Sequence, residues 1–271
     1  MERNLRAAAC AAERRRVKAF VNKPLRQSVS CPTPDRASAL RAKFAHVDAW
    51  VFDLDNTLYP SDSDLWPRIE QRITVYLMEL FGLDGLSARA LQRHYYHRHG
   101  TTLAGLIDED AAGAEEFLAF VHDIDRSNLA ANPPLALEIA ALPGRKLIFT
   151  NGSREHALRT AAQLGLHDAF EDIFDIVAAN MIPKPAAAAY RAFFDRYGID
   201  STRAAMFEDI AKNLSVPRAL GMTTTLVVAG PDRIDHRQPD DRAIDDARTI
   251  DFVTSDLAGF LGVVNDALGR G

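Results

Sequence analysis

The sequence predicts an α/β fold, a doubly wound parallel sheet whose first strand is followed at once by a helical insert. Two observations support this prediction. From residue 133 onward, short apolar runs that end in polar residues alternate with segments of helical apolar spacing. Such alternation is typical of parallel strands joined by crossover helices. Between the apolar run 49–52 and residue 131, by contrast, the spacing is helical throughout, which indicates helices inserted after the first strand.

The first strand and the insert have clear patterns. The run 49–52 predicts a buried strand, because strands covered on both faces read as continuous apolar stretches. A long helix follows and is expected to end at Gly82, since five apolar residues before it recur at helical spacing. They are Leu65, Ile69, Ile73, Leu77 and Leu80. Three further helices are expected over residues 87–99, 101–107 and 114–124.

After the insert, strands and helices alternate. Strands are predicted over residues 146–149, 173–178, 204–207, 223–228 and 252–253, and helices over 154–164, 185–197 and 213–220. Right-handed crossovers would make all of these strands parallel. The predicted core is therefore Rossmann-like.

These elements divide the chain into three parts. Residues 47–61 and 131–271 are predicted to form the core domain, and residues 62–130 a helical cap domain. Residues 1–46 hold 11 Lys and Arg against 3 Asp and Glu. A segment of this kind is typical of a targeting peptide or a nucleic-acid-binding tail. We predict the simpler alternative, a basic N-terminal extension that is disordered and lies outside the fold.

Composition narrows the functional classes. A chain of 271 residues with 47% hydrophobic and 25% charged residues is ordinary for a globular protein. The formal net charge is −5 although the first 46 residues are basic, so the acidic remainder argues against a nucleic-acid partner. No apolar run is long enough to span a bilayer, and the two cysteines, Cys10 and Cys31, imply no disulfide framework. We expect a cytoplasmic protein with no membrane partner; its oligomeric state stays open.

Two aspartates follow the first predicted strand. Because side chains alternate along a strand, Asp53 and Asp55 point the same way if the strand geometry continues. The carboxyl ends of parallel strands are also where ligands bind in open α/β sheets. Neighbouring carboxylates repel each other unless a cation lies between them or one stays protonated. A hard cation such as Mg²⁺ resolves this conflict, and two surface aspartates at a turn are the alternative.

Further polar residues follow the later strands. Thr150 follows the second strand, Glu208 and Asp209 follow a later one, and Lys184 precedes a helix. Taken singly, these residues are most simply helix caps or a solvated charge. In a parallel sheet, however, all of them lie at one edge, where carboxylates bind a metal while a lysine, a hydroxyl and helix N-termini bind an anion. The sequence therefore predicts a site for a phosphate bridged to Mg²⁺.

Four motifs in this order resemble those of the haloacid dehalogenase-like (HAD) hydrolase superfamily. They are FDLDNTL at 52–58, FTNG at 149–152, KP at 184–185 and FED at 207–209. A helical insert after the first motif is similar to that superfamily's first type of cap. More narrowly, DLDNTLYP, FTN followed by HA, PKP, and MFED followed by NL look like the pyrimidine 5′-nucleotidase-like branch.

The resemblance implies catalytic roles for three residues. Asp53 would attack phosphorus and form an aspartyl-phosphate. Asp55 would protonate the leaving oxygen and then deprotonate the attacking water, which requires a raised pKa of the kind that a neighbouring carboxylate favours. Lys184 would offset the charge beside Asp53. His156, on the helix beyond the second motif, is expected to pack or to cap that helix.

The resemblance also implies the binding groups. Thr150 and Lys184 would hold the substrate's phosphoryl oxygens, and Asn151 would also bind the substrate. The cofactor would be Mg²⁺, held by Asp53, by the backbone carbonyl of Asp55 and by Asp209. Glu208 would be a further ligand or an outer partner of the metal.

The implied activity is hydrolysis of a phosphate monoester, in the narrow reading a 5′-nucleotidase acting on pyrimidine nucleoside monophosphates. Asp55 favours phosphoryl transfer over dehalogenation, because the release of a halide needs no proton. A phosphatase or phosphomutase acting on phosphoglycolate or a sugar phosphate is one alternative, and a non-catalytic HAD-like binding protein is another. The cap is expected to select the substrate, and the candidates for substrate contact are Tyr59, Tyr95, Tyr96 and Arg98, with packing between helices as the alternative for the tyrosines. Residues 231–246 are charged and are predicted to form a surface loop.

Overall fold

A six-stranded, fully parallel sheet forms the centre of the molecule. The computed structural model describes residues 34–270. The strands are β1 (Ala49–Phe52), β2 (Arg145–Phe149), β3 (Asp172–Phe174), β4 (Ala204–Glu208), β5 (Thr223–Val227) and β6 (Phe252–Thr254). Their order is β3-β2-β1-β4-β5-β6, and every neighbouring pair is parallel. The predicted doubly wound, Rossmann-like fold is confirmed, and its topological switch point lies between β1 and β4, where the strand order reverses.

The helices lie on both faces of this sheet and in the insert. In chain order they are α1 (Pro34–Phe44), α2 (Leu65–Phe81), α3 (Gly85–His99), α4 (Thr102–Asp108), α5 (Ala114–His122), α6 (Pro133–Ala141), α7 (Arg154–Leu164), α8 (Ala187–Tyr197), α9 (Ser215–Ala219) and α10 (Leu257–Ala267). Side chains of β1 alternate between two buried clusters. Trp50 and Phe52 pack on the side of α1, α6, α7 and α10, whereas Ala49 and Val51 pack on the side of α8. Burial on both faces explains why this strand is apolar at every position.

Four helices, α2 to α5, lie between β1 and α6 and share a hydrophobic cluster of their own. Its buried members include Tyr76, Leu77, Tyr95, Leu106 and Phe117. The bounds of α2 agree with the prediction, and Gly82 ends it in the left-handed conformation that favours glycine. Helix α3 begins at Gly85 because Asp84 accepts hydrogen bonds from the main-chain N–H groups of Leu86 and Ser87.

Two predicted elements differ in extent. The strand expected over 173–178 ends at Phe174. Asp175 accepts hydrogen bonds from the N–H groups of Arg154 and Ala178, at 2.8 and 2.9 Å, and so turns the chain away from the sheet. The helix expected over 213–220 consists of a 3-10 turn, Ala211–Leu214, followed by the short α9.

The prediction of a disordered extension over residues 1–46 is wrong for its last part, and residues 1–33 lie outside the described part of the chain. Residues 34–44 form α1, and the side chains of Leu40 and Phe44 are buried. The ring of Phe44 stacks on Trp50, with 5.6 Å between centroids, and on Phe252, with 5.4 Å. Burial of these apolar side chains stabilises the helix despite its basic surface.

Within residues 34–270, no helix combines the length and the apolar character that crossing a bilayer would require.

Candidate active site

Asp53 and Asp55 follow β1 directly, at the carboxyl edge of the sheet. The N–H of Asp53 donates to the carbonyl of Phe207 at 2.9 Å, so strand pairing continues through the first aspartate. The chain then turns at Asn56, whose φ of 61° lies in the left-handed region. Both aspartates line one cavity of about 270 Å³. As predicted from their spacing, the two carboxylates face the same space.

Lys184 joins two of the acidic residues. Its Nζ donates to Oδ1 of Asp53 at 2.7 Å, to Oε1 of Glu208 at 2.9 Å and to the carbonyl of Phe149 at 2.8 Å. An ammonium group has three hydrogens, so all of its donors are used. Although burial opposes a charged lysine, the carboxylates of Asp53 and Glu208 raise the pKa of Lys184. The lysine is therefore a fixed positive charge beside Asp53.

Asp53 is itself buried among charges. Burial raises its pKa from 3.8 to about 7, with Lys184 opposing this rise and the carboxylates of Glu208 and Asp55 adding to it. The approach of a further cation would favour the ionised form of this carboxylate.

Asp53, Glu208 and Asp209 form a cluster that suits a metal ion. One carboxylate oxygen of each lies within 4.8 Å of the others, and all three residues are buried. Burial, together with the charges of Glu208 and Asp53, raises the pKa of Asp209 well above its ordinary value. Asp209 Oδ2 is buried and accepts no hydrogen bond from any described residue. Hard oxygen donors of this kind fit Mg²⁺.

Glu208 differs from Asp209 in its contacts. Its Oε1 accepts from Lys184 and from Nδ2 of Asn213 at 2.6 Å, and its Oε2 accepts from the N–H of Ile210 at 2.7 Å. Both oxygens are therefore already used within the protein. Asp209 Oδ2, by contrast, has no hydrogen-bond partner among the described residues, whereas Glu208 contacts both the lysine and the loop after β4.

Thr150 and Asn151 lie in the loop after β2. Thr150 Oγ1 accepts from the N–H of Gly152 at 2.9 Å, and both residues line the cavity. The side chain of Asn151 pairs with the main chain of Lys184, accepting from its N–H at 2.8 Å and donating to its carbonyl at 3.3 Å. Asn151 therefore positions the loop that carries Lys184, and its contact with substrate stays a prediction.

Asp55 is held by two donors: Tyr59, which was expected to contact substrate, and His156, which was not assigned to the site. Oδ1 of Asp55 accepts from Tyr59 Oη at 2.7 Å and lies 2.8 Å from Nε2 of His156. The Nη2 of Arg126 lies 2.8 Å from Nδ1 of His156. Because a guanidinium only donates hydrogen bonds, Nδ1 is the acceptor and Nε2 carries the proton that is donated to Asp55. His156 was expected to pack or to cap, and the structure gives it a direct contact with Asp55.

This contact reverses the expected direction of the pKa shift of Asp55. We expected a raised pKa from the neighbouring carboxylate. Burial does act in that direction, but the imidazole of His156 and the hydrogen bonds from His156 and Tyr59 outweigh it, and the pKa of Asp55 is lowered. In the ligand-free protein Asp55 is therefore a carboxylate. The one signal in the sequence was the histidine in the first turn of α7, on the face that turns toward the sheet.

Arg237 is a second residue that sequence reasoning missed. Residues 231–246 were predicted to be a surface loop, but the side chain of Arg237 is 5% exposed and lines the cavity. Its Nη1 lies 3.6 Å from Oδ2 of Asp209. Since this part of the chain has no periodic pattern, nothing in the sequence indicated that it returns to the sheet edge.

Helices α2 and α3 form the other end of the cavity. Of the four expected cap contacts only Tyr96 lines it, because Tyr59 is buried against Asp55 and Tyr95 donates to Glu109 at 2.5 Å. Arg98 is not among the residues that line the cavity. Instead, the lining from these two helices includes Trp66, Ile69, Arg89 and Arg93.

Comparison with known proteins gives a family match and a curated relative. A family profile described as haloacid dehalogenase-like hydrolase matches residues 47–221. The chain is also similar to Phosphate metabolism protein 8 of Saccharomyces cerevisiae, with 26% identity over 189 residues. That match covers 64% of this chain and 59% of the yeast protein, so the chain spans less than two thirds of the length of this relative.

Solved structures share the fold. A HAD phosphatase from Thermococcus onnurineus superimposes with a TM-score of 0.53 at 18% identity, covering 83% of this chain and 99% of that one. An L-2-haloacid dehalogenase from Xanthobacter autotrophicus superimposes with a TM-score of 0.50 at 17% identity, covering 81% and 98%. Because phosphatases and dehalogenases share this architecture, the likeness establishes the fold and leaves the reaction to the residues of the site.

Proposed function

The chain belongs to the haloacid dehalogenase-like hydrolase family, and we propose that it is a Mg²⁺-dependent phosphomonoester hydrolase acting on pyrimidine nucleoside monophosphates. The observation that carries the proposal is that the two aspartates after β1 have different partners. Asp53 pairs with Lys184 inside the acidic cluster, whereas Asp55 pairs with His156 and Tyr59. A nucleophile and a separate proton-transfer group are what phosphoryl transfer needs.

The chemistry follows from these two positions. A carboxylate oxygen of Asp53 attacks phosphorus, the ester P–O bond breaks, and the leaving oxygen takes a proton from Asp55. The negative charge of the bound phosphate raises the pKa of Asp55 in the complex, which opposes the effect of its two donors. Asp55 then accepts a proton from water, whose oxygen attacks phosphorus and releases Asp53 and inorganic phosphate.

The remaining residues of the site would hold the metal, balance the charge of the nucleophile or bind the phosphoryl group. Asp53, Asp209 and the backbone carbonyl of Asp55 would hold Mg²⁺, with Glu208 orienting the group from outside. When bound, Mg²⁺ supplies positive charge that favours the ionised carboxylates and neutralises a phosphoryl oxygen. Lys184 keeps a positive charge beside the nucleophile, and Thr150 offers a hydroxyl to the phosphoryl group.

We propose further that residues 62–130 act as a cap that selects the leaving group. Trp66 lines the cavity and is half-buried, and within residues 34–270 it has no aromatic partner and no hydrogen bond at Nε1. Arg89 and Arg93 line the same cavity and make no hydrogen bond within that part of the chain. A planar ring and two donors suit a nucleobase with carbonyl oxygens, and the stack on an aromatic ring is worth about 1–3 kcal/mol.

The test is phosphate release from a panel of substrates by the purified protein. The panel contains pyrimidine and purine nucleoside monophosphates, phosphoglycolate and sugar phosphates, each assayed with Mg²⁺, with EDTA and with Asp53→Asn. We expect preference for the pyrimidine nucleotides and loss of release in both controls. Release from other substrates alone would contradict the nucleotidase proposal while keeping the phosphatase. Full release by Asp53→Asn would contradict the mechanism.

A further inference from the structure

Residues 230–246, here called the bridging segment, have no helix or strand and yet contact both the core and the cap. Arg233 pairs with Asp62 at 2.9 Å, and Gln238 Nε2 donates to Oε1 of Glu70 in α2 at 2.8 Å. Asp241, which is 6% exposed, accepts from the hydroxyl of Tyr96 in α3. Because the contacts of Gln238 and Asp241 are partly buried, the segment is a fixed part of the cavity wall.

Arg237 is the residue of the bridging segment that reaches the acidic cluster. Asp235 binds one side of its guanidinium, with 2.9 Å from Nε to Oδ1 and 2.8 Å from Nη2 to Oδ2. This two-point contact fixes the plane of the guanidinium and turns Nη1 toward Asp209. Nη1 donates to the main-chain carbonyl of Asp209 and lies 3.6 Å from its carboxylate Oδ2. Arg237 thus contacts both the backbone and the side chain of one acidic residue.

We propose that Arg237 is a positioning residue for Asp209 and sets the affinity of the acidic cluster for Mg²⁺. The inference rests on the proposed function, since it assumes that Asp209 is the metal ligand. Asp209 Oδ2 is buried and accepts no hydrogen bond within the described residues, so the guanidinium is the charge that offsets it. Outer partners that fix the orientation of a ligating carboxylate typically contribute 10- to 100-fold to metal affinity.

A purely structural role for Arg237 makes a different prediction. If the guanidinium only anchored the bridging segment, its loss would loosen the cavity wall and alter substrate binding, while the carboxylates would keep their affinity for Mg²⁺. Arg233 supplies the matched control. It lies in the same segment and pairs with one aspartate, but its side chain is 57% exposed and its partner is Asp62, outside the acidic cluster.

The experiment measures Mg²⁺ binding by isothermal titration calorimetry on metal-free protein, for the wild type, Arg237→Met, Arg237→Lys and Arg233→Met. Circular dichroism checks that each variant is folded. We expect the dissociation constant for Mg²⁺ to rise about 10- to 100-fold in Arg237→Met. Lysine keeps the charge without the two-point geometry, so Arg237→Lys should recover part of the affinity. Arg233→Met should stay within about twofold of the wild type.

Steady-state kinetics give a second readout. Raising Mg²⁺ should restore most of the kcat of Arg237→Met, because the defect lies in holding the metal. Equal Mg²⁺ affinity in the wild type and a folded Arg237→Met overturns the inference and leaves the proposed function intact. If Arg237→Met does not fold, Arg237→Lys and Asp235→Asn decide in its place, and unchanged affinity in both overturns the inference. A wild type that binds no Mg²⁺ overturns the proposed function as well.

Discussion

The two ends of the cavity are built in opposite ways. At the sheet edge, the Lys184 side chain is 1% exposed and every one of its donors has a partner. At the cap, Arg89 and Arg93 are exposed and make no hydrogen bond in the described part of the chain. Polar groups fixed before a ligand arrives can stabilise developing charge without rearranging. Exposed groups that make no hydrogen bond are free to adapt to a ligand instead.

If the proposed function holds, this difference places chemistry and substrate selection in separate parts of the molecule. The acidic cluster is positioned by the ends of β1 and β4, which are held in a sheet covered on both faces, and its lysine by the loop that precedes α8. The contacts at the cap come from helix surfaces, where a substitution changes one side chain and leaves the sheet undisturbed. We therefore expect changes at the sheet edge to alter catalysis and stability together, and changes at the cap to alter substrate preference alone.

Lys184→Met should have the largest effect. The substitution leaves Asp53 and Glu208 buried without their shared cation, and breaking a buried ion pair in this way costs about 3–5 kcal/mol. We expect loss of phosphate release and a lower free energy of unfolding in urea denaturation. Lys212→Met is the control, because Lys212 also lines the cavity but its side chain is 37% exposed. Equal stability of Lys184→Met and wild type would contradict the buried network.

The stability of the metal-free protein should depend on pH through Asp53. Its pKa is raised from 3.8 to about 7 in the folded protein, so the folded state keeps a proton that the unfolded chain releases. The stabilising contribution is complete below about pH 4 and is lost as the pH rises through about 7.

Asp53→Asn removes the part of this pH dependence that Asp53 contributes. In EDTA we expect the variant to be more stable than the wild type at about pH 8, by on the order of a few kcal/mol, and the difference to shrink toward about pH 4. Thermal or chemical unfolding over this pH range measures it. A difference that stays constant with pH would show that Asp53 is not the titrating group.

His156→Ala should lower kcat by about 100-fold, because the proton-transfer residue Asp55 loses its orienting donor. Tyr59→Phe is the matched variant, since Tyr59 donates to the same oxygen of Asp55 without the support of Arg126. We expect a smaller loss in Tyr59→Phe. If His156→Ala kept full kcat, Asp55 would not depend on the imidazole for its position.

Trp66→Leu should have the smallest effect. It should change substrate binding at one end of the cavity and leave catalysis at the sheet edge unchanged. Loss of a base stack is expected to raise KM for nucleotides about tenfold. The kcat for a small phosphate ester without a base should not change. A uniform loss of kcat with all substrates would instead place Trp66 with the catalytic residues.

The sequence predicted the residues at the strand ends well, because the pattern that indicates each of them lies next to it in the chain. Asp53, Thr150 and Glu208 each follow an apolar run, and a parallel sheet brings the ends of such runs to one edge. The same reasoning located Lys184 and Asp209. No longer-range information was needed, since the topology of alternating strands and helices supplies it.

The residues that were missed depend on contacts between distant parts of the chain. His156 lies 101 positions from Asp55, and Arg237 lies 28 positions from Asp209 in a segment without regular structure. Helix α1 was missed for another reason. Its few apolar residues, such as Leu40 and Phe44, lie within a basic stretch, and only their burial against Trp50 shows that they belong to the core.

All three hydrogens of the Lys184 ammonium already have acceptors, so substrate binding there requires an exchange of hydrogen-bond partners. Its three hydrogens already contact Asp53, Glu208 and a carbonyl, so a phosphoryl oxygen can gain one of them only by displacing a partner. In the ligand-free site, the carboxylates of Asp53 and Glu208 thus occupy the positions at the ammonium that a phosphoryl oxygen would take. A weakly basic anion such as chloride competes poorly with carboxylates for that ammonium. A doubly charged phosphate ester is a stronger competitor. Occupancy of the site therefore depends on how well an anion competes with the Asp53 and Glu208 carboxylates for the ammonium of Lys184.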